Sequence, residues 1–126
     1  MLLRPLPSPP VPSRMPCAPA RPATIDIAIA LAAWDSGVEL ADIGGDRRGE
    51  AQVAGARQLA IYLAHVALGH DLSRLSLAFG RDRATIRHAL RRVEDDRDDP
   101  DFDRRVSRLE AILLLVRPVL AGEVRA

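Results

Sequence analysis

The chain has 126 residues, 48% of them hydrophobic and 28% charged, with 18 arginines, no lysine, 17 acids and a formal charge of +1. That length suits a single domain. The lone cysteine, Cys17, excludes an internal disulfide and a cysteine-based zinc site and fits a reducing cytoplasm, while 3% aromatic residues argue against a binder that stacks unpaired bases on aromatic platforms.

Eight of the ten prolines fall in the first 22 residues, "MLLRPLPSPPVPSRMPCAPARP". Proline lacks an N–H donor and fixes φ, so residues 1–22 are expected to form a disordered, polyproline-like tail. The tail carries three arginines and no acid, and its apolar run is too short and too interrupted for a signal peptide or a membrane span. Met15 is a second candidate start.

Helical patterning follows throughout residues 23–126. "TIDIAIALAAWDSG" predicts a helix capped by Thr24 and closed near Gly37, and "VELADI" a short one ending at Gly44 and Gly45. A polar loop, "GGDRRGEAQVAG", carries Arg47 and Arg48 at its tip. In "ARQLAIYLAHVALG", Leu59, Ile61, Tyr62, Leu63, Val66 and Leu68 predict a largely buried helix stopped by Gly69. His65 and His70 fall near its end, where a histidine stabilises the last carbonyls. "DLSRLSLAFG" fits a short helix capped by Asp71 and closed by Gly80, and Asp82 stands where an N-cap should open "RATIRHALRRVEDDR". Pro100 is expected to end that helix and Asp101 to cap a last one through "DFDRRVSRLEAILLLV". No strand-like alternation of convincing length and no internal repeat is present, so the fold class is all-α, a compact bundle of about six helices.

Near-neutrality hides an uneven distribution of charge. Between Arg74 and Arg92, six arginines stand against one acid, a net of +5; Glu94 to Asp103 holds seven acids against one arginine, a net of −6. The two blocks cancel in the sum without having to cancel in space. A short helix, a glycine turn and a second helix make a helix-turn-helix candidate. On a wheel of about 100° per residue, Ile86, Ala89, Leu90 and Val93 fall on one side of the second helix. Ala84, Arg87, His88, Arg91 and Arg92 fall on the other, and Arg83, Ala84 and Thr85 occupy the first turn, the end that usually reaches base edges. Arginine can fork onto guanine, and an alanine or threonine methyl can touch the thymine methyl. Arg87 and Arg91 are spaced to meet phosphates. The plain alternative is a solvated arginine-rich face, with His88 an exposed polar group.

The segment "ARQLAIYLAHVALGHDLSRLSLAFGRDRATIRHALRRVE" resembles the C-terminal DNA-binding domain of the bacterial chromosomal replication initiator DnaA. The resemblance rests on Arg57-Gln58 opening a helix, Gly69-His70 between helices and "FGRDRATIRHA", and extends over about residues 24–116. It implies that the signature helix enters the major groove of the initiator's box through Asp82, Arg83, Ala84, Thr85 and His88, and the neighbouring Arg81 and Arg87 are expected to reach the same groove. It also implies backbone and edge contacts from Arg57 and Gln58 and a minor-groove arginine at Arg47 or Arg48; Arg91 and Arg92 are expected on the backbone from their place on the exposed side of the helix. Departures from the family pattern bear on specificity. Gly80 stands alone where two glycines are usual, Arg83 replaces a histidine, and Ala84 replaces a threonine and loses its hydroxyl. The loop "GGDRRGE" holds two acids and no lysine, and "GAR" replaces Arg-Pro-Arg.

No G-x-x-x-x-G-K-[ST] occurs, so no nucleotide is expected, and the chain resembles the box-reading domain standing alone. No catalytic motif is present; the acidic run fits a solvated helix end better than a metal site, and neither an enzyme nor a cofactor is expected. The function expected is sequence-specific duplex-DNA binding at DnaA-box-like sites, modulating replication initiation or transcription from the cytoplasm or nucleoid. The alternative is an interaction module whose partner is the initiator protein itself. "AILLLV" at residues 111–116 is longer than one core-facing stripe needs; it covers the first helix or pairs with a second copy.

Overall fold

The computed structural model describes residues 22–39, 43 and 51–120. Five α-helices occur among them: α1 (Ala23–Ser36), α2 (Ala51–Val66), α3 (Leu72–Phe79), α4 (Arg83–Asp96) and α5 (Pro100–Leu120). The expected tail up to residue 21, residues 40–42 of the expected helix at 38–43 and the loop tip with Arg47 and Arg48 lie outside the described residues.

Helix α1 is apolar nearly all round and packs most extensively on α2, burying Ile25, Ala28, Ile29 and Ala32. Small alanines let the two backbones approach closely, which suits burial on more than one side. Gly37, at φ 68°, ends α1: its N–H reaches Trp34 O, and Val38 N–H reaches Ala33 O at 3.1 Å. This is the six-to-one and five-to-two pattern of a left-handed helix stop. Thr24 does not cap α1 as expected. The N-cap is Pro22, and the Thr24 hydroxyl instead lies 2.7 Å from His70 Nε2, so tertiary pairing has taken the side chain from its local role.

Helix α2 begins at Ala51, well before the predicted boundary, and takes up the last five residues of the segment expected as loop. Burial of Val53 and Ala56 and a bond from Gln52 Nε2 to Ser36 O outweigh the intrinsic penalty of Gly55 inside the helix. Val66, expected in the core, is exposed. Pro100 opens α5 rather than closing α4, because a first helical residue has no use for its N–H. Asp101 is accordingly a first-turn residue and not the cap; its own N–H is accepted by the Asp99 carboxylate at 3.1 Å. The α4 helix stops at Asp96, with Arg97 at its C-cap.

A single core joins Ile29, Leu59, Leu63, Leu75, Ile86, Val93, Val106, Leu109 and Leu113, all buried. Helix α2 lies at its centre, packed against α1, α3 and α4, and α5 closes over α1. In α5, Leu113 is buried and Val116 half-buried against that core, but Leu114, Leu115 and Val119 face solvent, so the "AILLLV" run is only partly used as cover.

Candidate nucleic-acid interface

Helices α3 and α4 form a helix-turn-helix. Asp71 caps α3 by accepting Arg74 N–H at 2.8 Å, and Gly80, at φ 62°, reverses the chain in the left-handed region where a β-carbon is disfavoured. Ser76 secures the turn three ways. Its carbonyl accepts the N–H of Gly80 and of Arg81, and its hydroxyl donates to the Arg81 carbonyl. Asp82 then caps α4 by accepting Thr85 N–H at 2.8 Å. Bonds from the Thr85 amide and, next, its side chain hold the Asp82 carboxyl below its ordinary range, so the cap is anionic at neutral pH and faces the positive end of the helix dipole.

The turn aims α4 with one side in the core and one in solvent. Ile86, Ala89 and Val93 are buried and Leu90 packs against them, while Arg83, Ala84, Thr85, Arg87, His88, Arg91 and Arg92 are exposed. The division expected from the wheel is therefore the one observed. Arg81 is half-buried in the turn and Asp82 is exposed. Arg92 lies 3.5 Å from Asp96, an exposed i,i+4 pair that offsets part of its charge. Arg83 is not free-ranging: its Nη2 donates to Ser73 Oγ on α3 at 2.6 Å.

Other predicted residues are spread more widely. Arg57, half-buried, donates through Nε to Ile43 O at 2.9 Å. Gln58 lines a cleft of about 320 Å³ with Val93, Asp96, Phe102 and Arg105, at the C-terminal end of α4 and away from its first turn. Arg47 and Arg48 lie outside the described residues.

Behind α4, the acidic tract is organised by the one base within it. Arg97 donates to Asp103 at 2.6 Å, Glu110 at 2.7 Å, the Tyr62 hydroxyl at 2.9 Å and Ser107 at 3.0 Å. Partial burial works against its charge, but the bonds to Asp103, Tyr62 and Glu110 outweigh it and raise its pKa. Arg105 on α5 pairs with Asp35 on α1 at 2.6 Å, and that bond raises the Arg105 pKa. Sequence reasoning missed Arg97 as a hub, although a lone arginine among seven acids is itself a signal. It missed Ser73 because nothing local connects residues ten apart across a turn. No helix among the described residues is long and apolar enough to cross a membrane, and no cluster of three or more metal-ligating side chains occurs among them.

A solved structure described as a DNA replication initiation factor superposes on the chain with a TM-score of 0.66 and 27% sequence identity, covering 75% of this chain and 29% of that one. The chain thus spans less than a third of the length of that protein. No curated protein matches it in sequence. The family model of the bacterial DnaA protein helix-turn-helix matches residues 26–93, from the first turn of α1 through the last buried residue of α4. With more than half of its length so matched, the chain belongs to the bacterial DnaA helix-turn-helix family.

Proposed function

We propose that this protein binds duplex DNA sequence-specifically at DnaA-box-like sites and modulates replication initiation, or transcription, by occupying or competing for them. The observation that carries the proposal is the face of α4: seven groove-suited residues from Arg83 to Arg92 are exposed together while the opposite side is locked in the core. In this reading Arg81, Asp82, Arg83, Ala84, Thr85, Arg87 and His88 meet the major groove. Arg57, Gln58, Arg91 and Arg92 meet the backbone, and Arg47 and Arg48 the minor groove. Residues 23–126 act as the binding domain and residues 1–22 as a tail; the protein is a non-enzyme, acts without nucleotide and works on the nucleoid. Fluorescence anisotropy at fixed salt, comparing box duplex with a scrambled duplex of equal length, tests it: tighter binding to the box is expected, and equal affinities contradict sequence specificity.

A second reading, in which the module acts on the replication initiator through protein contacts, draws support from the exposed Leu114, Leu115 and Val119 on α5. A complex with full-length initiator that survives nuclease treatment favours it, and failure to form one counts against it.

A further inference from the structure

We infer that Ser73 is a specificity-determining residue, which acts by holding Arg83 in the orientation that reads one base pair. The inference rests on the proposed DNA-binding function and adds to it a residue on the first helix of the motif.

Ser73 is exposed on the first turn of α3, and its Oγ accepts from Arg83 Nη2 across the turn at 2.6 Å. Both ends of that bond are built on fixed supports. The α3 end is set by the Asp71 cap, whose carboxylate takes the N–H of Arg74, the residue next to Ser73. The α4 end is set by the Asp82 cap, which takes Thr85 N–H, and the intervening backbone is tied to Ser76 through both its carbonyl and its hydroxyl. Arg83 is the first residue of α4 and is exposed, so without Ser73 only its own rotamer preferences would direct the guanidinium.

A guanidinium has five N–H donors in a planar fork, and guanine recognition uses two of them on one edge. One Nη2 hydrogen given to Ser73 leaves four, including an intact pair for the N7 and O6 acceptors. The bond also fixes the plane in which that pair lies. A long arginine side chain has rotamer freedom that ordering must overcome, so a partner already present in the unbound protein lowers the cost of docking. Ser73 is neutral and adds no attraction for phosphate. Its contribution therefore falls on discrimination at a single position and not on general affinity, which separates it from Arg91 and Arg92.

The experiment is selection of binding sites from a random-sequence duplex pool with the full chain, for wild type, Ser73→Ala, Ser73→Thr, Arg83→Ala and the Ser73→Ala/Arg83→Ala pair. Alanine is a good helix former at an exposed first-turn position, and unchanged thermal melting of Ser73→Ala checks that the fold is retained. The expected result is that Ser73→Ala lowers base preference by about threefold to tenfold at the one position that Arg83→Ala flattens. It leaves other positions and the salt dependence as in wild type, Ser73→Thr restores the preference, and the double variant loses no more there than Arg83→Ala alone. A selective wild type whose preferences Ser73→Ala leaves unchanged, or weakens evenly at all positions, overturns this inference alone. A wild type that selects no sequence overturns the proposed function and this inference with it.

Discussion

Arg97 Nη1 donates to the Tyr62 hydroxyl at 2.9 Å, joining the C-cap of α4 to the C-terminal half of α2. The same guanidinium reaches Asp103, Ser107 and Glu110 on α5, so one side chain sets the far end of the groove-facing helix against two others. The near end is set separately, by Gly80, Ser76 and Asp82.

Replacing Arg97 with alanine leaves the half-buried Glu110 and the hydroxyl of the buried Tyr62 without their partner, and is expected to destabilise the fold by about 2–3 kcal/mol. Tyr62→Phe removes one bond and is expected to cost about 1 kcal/mol. Urea titration monitored by circular dichroism measures both; losses of equal size would show that Arg97 acts only through Tyr62.

Stability should also fall on mild acidification, through His70. Its ring is buried, and burial first, then the nearby Arg74 and, more weakly, Arg117, depress its pKa below 6.5 against the opposing pull of Asp71. Because the unfolded chain then binds the proton more tightly, stability is full above about pH 6.5 and declines as pH falls from there toward the folded pKa, levelling off below it. Thermal melting of wild type and His70→Gln across pH 5 to 8 checks this: the variant should lose the portion of the decline that belongs to His70.

At Gly80, alanine meets open space but must adopt a φ of 62°, so Gly80→Ala is expected to cost about 1 kcal/mol through backbone strain alone. Ile86, fully buried in the first turn of α4, should cost about 3 kcal/mol on replacement by alanine through lost burial and a residual cavity. Chemical denaturation of the two variants side by side tests the order, and a larger loss at Gly80 would contradict the assignment of its cost to φ alone.

Much of this was legible in the sequence where a local rule and the tertiary structure agree. Asp71, Gly80, Asp82 and the Ile86–Ala89–Val93 stripe behave as capping chemistry and helical periodicity predict. Reading failed where distant partners decide. Thr24 pairs its hydroxyl with His70, the start of α2 is fixed by packing on α1, and Pro100 reads equally as a stop or as a first residue until the direction of the following chain is known. The Ser73–Arg83 bond was illegible because it depends on the angle between two helices that only the Gly80 turn sets.

For the proposed interface, Arg83 and Arg91 should separate cleanly. Arg91→Ala is expected to weaken binding to box and scrambled duplexes alike and to lower the slope of log K against log salt by about one, as loss of one phosphate contact does. A loss confined to box duplex would move Arg91 from the backbone to a base edge.

The most direct test is the ratio of affinities for box and scrambled duplex, measured by anisotropy at one salt concentration for wild type and Arg83→Ala together. Specific recognition through α4 predicts a wild-type ratio of about tenfold or more that falls markedly when Arg83 is removed. A ratio near one for the wild type, or a high ratio that Arg83→Ala leaves intact, would contradict it.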